Sequence, residues 1–275
     1  MDKSKEYCDM ENITFRLFSE YTELKHAYST REGGVSEGCF SSLNLGFFRG
    51  DEEERVLENY RRFAQTLGLE LDQLVLSNQV HGAEIYHIKK HDAGKGFTKR
   101  NDIIGVDGFI TKELGLGLVT LYADCVPLFF YDPKQKVIGL AHAGWKGSAL
   151  KIAKKMIDEM VSYYGCNPKD VLVGIGPSIG PCCYEVSEDV KKEFDFLAGS
   201  VIMTKIVSKI ANGKYKLNLW QINKEILLQA GVLEKHIEIS ALCTKCDSNR
   251  FFSHREMGVN RGSQAAIIAL EGGIE

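Results

Sequence analysis

No run of about eighteen consecutive apolar residues occurs in this chain, so nothing in it reads as a membrane-spanning helix. The opening MDKSKEYCDMEN is polar and lacks the apolar core of a secretory signal, and the cytoplasm is the expected location. An excess of charge of one sign is missing as well. The 34 Lys and Arg against 37 Asp and Glu give a formal net charge of −3, which offers no general footprint for nucleic acid or an anionic membrane. A local basic pocket stays compatible with it. Histidine is scarce: seven residues, with no His-x-His pair, leave a trinuclear copper cluster and four-electron reduction of oxygen poorly supported. Neither a low-complexity linker, nor an obvious repeat, nor a composition shift divides the 275 residues, so one domain over 1–275 is expected. The eight cysteines are scattered, and without an export signal they read as reduced thiols rather than as a disulfide framework.

What is present is a set of three similar strings: NQVHG at 78–82, ADCVP at 123–127 and AHAGWKG at 141–147. Each apolar stretch ends in one soft or borderline-soft metal ligand followed by small residues, which sets His81, Cys125 and His142 together. Two imidazoles and a thiolate leave the fourth position of a tetrahedral zinc open, the pattern of a catalytic site rather than a closed structural one. The same three groups also suit metal-free Cys/His catalysis. Between the last two strings, LGLVTLYAD and PLFFYD are rich in strand formers, and DPKQK turns the chain into VIGLAH. If residue 132 opposes 137, Pro127 opposes His142 and Cys125 lies one pleat step beyond, within reach of a shared metal. The strand pattern does not place His81, which tertiary structure must bring in.

Helices are expected over 50–69, with Val56, Tyr60, Phe63 and Leu67 on one face and Gly68 at the C-terminal cap, and over 148–165, capped by Ser148, with Ile152, Met156, Met160 and Tyr164 in a stripe. A third, over 185–199, turns Val190, Phe194 and Leu197 inward, and a fourth ends at Gly231. Asn212-Gly213 signals a hairpin. This mixture fits an α+β fold with much antiparallel sheet better than a doubly wound parallel one. AHAGWKGS runs from a strand into a helix start, where free amides and Lys146 favour an anion. Other features read as structural. GIGPSIG has the wrong spacing for a dinucleotide fingerprint and does not open a helix. Cys243 and Cys246 form a lone CxxC, read as a thiol pair at a strand end, and the vicinal Cys182-Cys183 is ambiguous. His87 and His91 read as an exposed pair.

The strings NQVHG, ADCVP, AHAGWKG, GIGPSIGPCCYEV, CTKCD and FFSHRE, with TREGGVS and SSLNLG before them, closely resemble the YfiH-like family, also called the laccase-domain or polyphenol-oxidoreductase family. The resemblance runs from Thr30 to Arg261. It implies an αββα four-layer sandwich with largely antiparallel and mixed sheets, and zinc on His81, Cys125 and His142, a set that copper also suits. Members have been described as copper-dependent polyphenol oxidases, as a peptidoglycan-editing amidase, and as purine nucleoside enzymes. The last combine phosphorolysis of adenosine, inosine and methylthioadenosine with adenosine deamination. A zinc-activated water fits deamination. Phosphorolysis also needs an anion site, for which Arg31, Lys146 and Arg255 are the candidates, with Glu185 on the ribose hydroxyls or as acid/base group. The leading expectation is therefore a zinc-dependent purine nucleoside phosphorylase with adenosine deaminase activity. Its partners would be a nucleoside and phosphate, with no nucleic acid or membrane. The alternatives are an amidase acting on a cell-wall precursor through the metal or Cys125, and a non-catalytic metal-binding protein.

Overall fold

The computed structural model describes residues 10–47, 49–197 and 203–272. Cys8, the polar start through residue 9 and the last two residues of the helix expected over 185–199 lie outside them.

Two sheets form the centre. The first has five strands in the order β1 (Asn12–Ile13), β2 (Leu24–Ser29), β14 (Gln264–Leu270), β6 (Gly117–Tyr122) and β3 (Leu74–Leu76), all antiparallel except the β3–β6 pair. The second has six, in the order β13 (Ile237–Ile239), β9 (Leu172–Ile175), β7 (Val126–Asp132), β8 (Val137–Ala143), β5 (Gly108–Thr111) and β4 (Ile85–His87). Its two edge pairs are parallel and its centre is antiparallel. A small antiparallel sheet of β10 (Glu185–Val186), β12 (Tyr215–Leu217) and β11 (Val207–Lys209) lies apart from both.

The period-two alternation of side chains sorts these strands into layers. On β14, Ala265, Ile267 and Ala269 pack with Val56, Tyr60 and Phe63 of helix α1 (Glu53–Gln65), while Ala266, Ile268 and Leu270 face the other sheet. On β7, Phe129 and Tyr131 meet that inter-sheet core. Leu128 and Phe130 turn the opposite way, toward Met156 and Met160 of α3 (Ile152–Tyr164) and Ile222 and Ile226 of α6 (Leu219–Gln229). Three buried clusters thus separate four layers, α1, sheet, sheet, and α3 with α6, which is the αββα sandwich expected. The parity puts His142 on the same face of β8 as Ile138 and Leu140, toward the inter-sheet core.

The β7–β8 hairpin has the register expected, with Asp132 opposite Val137 and Pro127 opposite His142. The Asn212-Gly213 hairpin also forms, both residues taking positive φ between β11 and β12. The helix expected to start at Ser148 is broken. A short α2 (Trp145–Ala149) precedes it, Lys151 turns left-handed with φ 58, and α3 begins at Ile152. Ser148 is no cap. It lies buried inside α2, where its hydroxyl accepts from Asn223 Nδ2 at 2.9 Å. The first helix stops at Gln65, short of Gly68, which takes φ 70 after it. The third is a single short α4 (Glu188–Lys192) followed by a 3-10 turn over Asp195–Leu197, although Phe194 and Leu197 are buried as expected. Two further short helices are α5 (Met203–Ile206) and α7 (His254–Met257).

Candidate active site

Cys125 lies at the corner where the chain leaves β6 in one sheet for β7 in the other. His142 comes from the end of β8, and His81 from the loop after β3, where it takes φ 60. One ligand atom from each of the three lies within 4.8 Å of the others. The two imidazoles stand edge to face, 4.7 Å between ring centres. His142 is 3% exposed, Cys125 half-buried and His81 open to solvent. The backbone of Gly144 closes on them so tightly that a Cβ there would lie 2.9 Å from Cys125 Sγ. A metal held by these three groups would be reached from the His81 side.

A buried carboxylate organises two of the three. Asp107, the residue before β5, accepts from His142 Nδ1 at 2.7 Å and from the backbone amides of Val80, His81 and Gly82 at 3.2, 3.0 and 2.7 Å. Burial opposes its charge, but the His142 bond and then these amides hold its pKa below the ordinary range. An ionised carboxylate can only accept, so His142 Nδ1 carries the proton and Nε2 is left as the ligand atom. Burial likewise works against a Cys125 thiolate. His142 and then His81 outweigh it and hold the thiol at about 6. His142 is pulled down by burial and raised to about 9 by Cys125 and Asp107. The trio therefore favours a Cys125 thiolate beside a protonated His142, and a metal bound there would displace the Nε2 proton.

Around the trio opens a cleft of about 1040 Å³, with Phe47, Phe97, Tyr122, Trp145 and Tyr184 among its apolar walls. Asn78, Gln79 and Asn101 supply neutral polar groups, and Arg49, Lys99, Arg255 and Arg261 positive charge. Arg261 is buried, with Nη1 bound to the Gly262 carbonyl and Ser263 Oγ, and its Nε has no hydrogen-bond partner among the described residues. Burial, reinforced by the charge of Arg49, lowers its pKa to about 10. Beside the His81, Cys125 and His142 trio, Asp124 takes φ 84 and accepts from Thr244 Oγ1 at 2.6 Å and from the Arg255 amide at 2.7 Å.

The four candidates for substrate binding fare differently. Arg255 lines the cleft, its guanidinium 5.2 Å from the Tyr184 ring centre and bound to the Glu185 carbonyl. Arg31 does not line it. Its guanidinium is committed to the Ser41 and Ser248 carbonyls and stacks on Phe252 at 4.6 Å. Lys146 also lies off the cleft lining. It is exposed over Trp145, and α2 is too short to add a helix field. Glu185 is exposed and faces Lys216 at 3.2 Å. His87 is a further correction: it is half-buried and bonded to Glu159 and Tyr164, whereas His91 is exposed as expected. Asp107, Arg49 and Arg261 escaped the sequence argument. The turn string GVDG before a strand was the only local sign of Asp107.

Comparison with known proteins gives concordant results. A family model described as multi-copper polyphenol oxidoreductase laccase matches residues 25–271. The purine nucleoside phosphorylase YlmD of Geobacillus stearothermophilus is 40% identical over 89% of this chain and 88% of its own. The adenosine deaminase RL5, from an unknown prokaryotic organism, is 32% identical over 89% of this chain and 94% of its own. A crystal structure of Geobacillus stearothermophilus YlmD superposes with a TM-score of 0.88 at 37% identity, covering 92% of this chain and 94% of that one.

Proposed function

The chain belongs to the multi-copper polyphenol oxidoreductase laccase family, and on that premise we propose that it is a zinc-dependent purine nucleoside phosphorylase that also deaminates adenosine. The supporting observation is the convergence of His81, Cys125 and His142 in a cleft whose lining includes aromatic rings and the cations Arg49, Lys99, Arg255 and Arg261. Enzymatic processing of nucleosides is the activity for which the relatives are named. The residues fit zinc: two imidazoles and a thiolate within 4.8 Å, with His142 fixed by Asp107 through its other nitrogen. Copper suits the same donors, but the trinuclear cluster of a multicopper oxidase is commonly built on His-x-His pairs, which this chain lacks.

Zinc, when bound, supplies Lewis acidity at a coordination position that three protein ligands leave open. The chain's own groups do the rest. Phe47 and Phe97 offer faces for a purine, and Asn78 and Asn101 offer donors and acceptors for its edge or the ribose, whereas both ends of the Gln79 amide are taken by the Leu121 backbone. The anion role passes from Arg31 and Lys146 to Arg49 and Arg261. Both line the cleft and Arg49 adds to the strain on the buried Arg261 charge, which an anion bound beside them would relieve. Arg255 keeps the candidacy that the sequence suggested. Glu185 pairs with Lys216 and is absent from the cleft lining, which weighs against the ribose or acid/base role expected of it.

The depressed Cys125 thiol favours one alternative, an amidase in which that thiolate attacks an amide carbonyl with His142 as proton donor. Phosphate separates the two. With inosine, release of hypoxanthine should require phosphate, and with adenosine, release of ammonia should not. Base release that ignores phosphate, together with cleavage of amides, would replace the phosphorylase with the amidase.

A further inference from the structure

Four cysteines that the active site does not use meet on the neighbouring surface. Cys182 and Cys183 follow the turn at Gly180, and Cys243 and Cys246 come from the CTKC turn, 64 residues separating Cys182 from Cys246. All four Sγ atoms lie within 4.8 Å of one another, and Cys246 Sγ is 3.4 Å from both Cys182 Sγ and Cys183 Sγ. We propose that these four thiols form a second metal site, a closed tetrathiolate centre for zinc, separate from the His81, Cys125 and His142 trio.

The spacing carries the inference. Zinc–sulfur bonds of about 2.3 Å place the sulfurs of a tetrahedral centre about 3.8 Å apart, whereas a disulfide needs about 2.05 Å. The cluster, with two pairs at 3.4 Å and all four sulfurs within 4.8 Å, is too open for a disulfide and lies around the spacing of a single zinc. Iron–sulfur clusters hold their cysteines around several metal atoms, and this group is compact enough for a single ion. The backbone is arranged for thiolates as well: the Gly180 amide donates to Cys243 Sγ at 3.2 Å, and the Cys246 amide is a second donor to it. Four protein ligands leave no open position, so the centre is structural. It joins two segments that the hydrogen-bond network ties to the active site. Thr244, inside the CTKC turn, binds the Asp124 carboxylate, and the Ile179 amide binds the Asp124 carbonyl, one residue before Cys125. The centre would staple the loop carrying Tyr184, a wall of the cleft, to the turn that orients Asp124. The lone CxxC of the sequence is completed by a vicinal pair rather than by a second CxxC, which corrects its reading as a thiol pair at a strand end.

Metal content of purified wild type, Cys246→Ser and Cys125→Ala, each prepared with zinc, tests this. Wild type should hold about two zinc ions, and each variant about one. Cobalt-exchanged Cys125→Ala should keep an intense tetrathiolate spectrum that Cys246→Ser lacks. Should Cys246→Ser fail to fold, alkylation mapped by mass spectrometry on wild type serves instead: the four thiols should resist the reagent until a chelator is added. The proposal is overturned if Cys246→Ser keeps all the zinc of wild type, or if the four thiols alkylate equally with and without chelator. Loss of metal from Cys125→Ala reports on the active site alone, so the two sites can fail independently.

Discussion

Asp107 is the residue on which most of the site's geometry depends. One carboxylate fixes the tautomer of His142 and gathers three amides of the loop that presents His81, whose φ of 60 is otherwise costly for a side chain with a Cβ. Asp107→Asn keeps the shape but removes the charge. Zinc affinity should fall about 10- to 100-fold, with turnover falling in parallel at limiting zinc. Chelator competition measures this, and unchanged affinity would show that the loop holds itself. A second residue bears on acid stability. His26 is 8% exposed, and its Nε2 accepts the Phe15 amide at 2.8 Å, so its neutral form is the one the fold uses. Burial lowers its pKa from 6.5 to about 4. The unfolded chain takes up this proton first as the pH drops, so the contribution is whole above about 6.5 and is lost progressively toward 4. Urea unfolding at about pH 7 and about pH 5 should show wild type losing roughly 2 kcal/mol more than His26→Gln. Parallel losses would assign the acid sensitivity to other groups.

Among the elements, the six-stranded sheet is covered by Phe15, from the segment between β1 and β2, at a place where no side chain fits. A Cβ on Gly174 of β9 would come within 2.6 Å of the Phe15 ring, which is itself packed against Phe129 at 5.2 Å between ring centres. Gly174→Ala should cost about 1 to 3 kcal/mol, read as a lower melting temperature with the metal content retained. An unchanged melting temperature would mean that Phe15 moves aside freely. The β7–β8 hairpin was legible because its turn and its alternation are local, and they fixed Pro127 opposite His142. The amphipathic stripes of α1 and α3 were legible for the same reason. Pairings of sequence-distant strands were not: β3 with β6, β4 with β5 and β13 with β9 are parallel and need crossovers that no short pattern records. The break at Lys151 was hidden because the apolar spacing continues across it.

At the scale of the whole molecule, the site is a product of the sandwich. His142 and Cys125 stand at one end of the inter-sheet core, His81 arrives from the loop beyond β3, and the cations of the cleft come from positions as distant as Arg49 and Arg261. The meeting of His81, Cys125 and His142 could be read from the sequence because each ends an apolar string. Of the cleft's arginines only Arg255 was legible, since an arginine held away from the cleft by nearby carbonyls, such as Arg31, and one that lines it, such as Arg261, look alike in a string. The tetrathiolate cluster was equally hidden, its halves being joined only by folding. The central claim is that one metal on His81, Cys125 and His142 serves nucleoside chemistry. It is tested most directly by counting zinc and measuring phosphate-dependent hypoxanthine release from inosine on the same preparations of wild type and Cys125→Ala. The account predicts that Cys125→Ala, folded as judged by circular dichroism, loses about one zinc and at least about 100-fold in turnover. Turnover close to wild type in a variant lacking that zinc would contradict it.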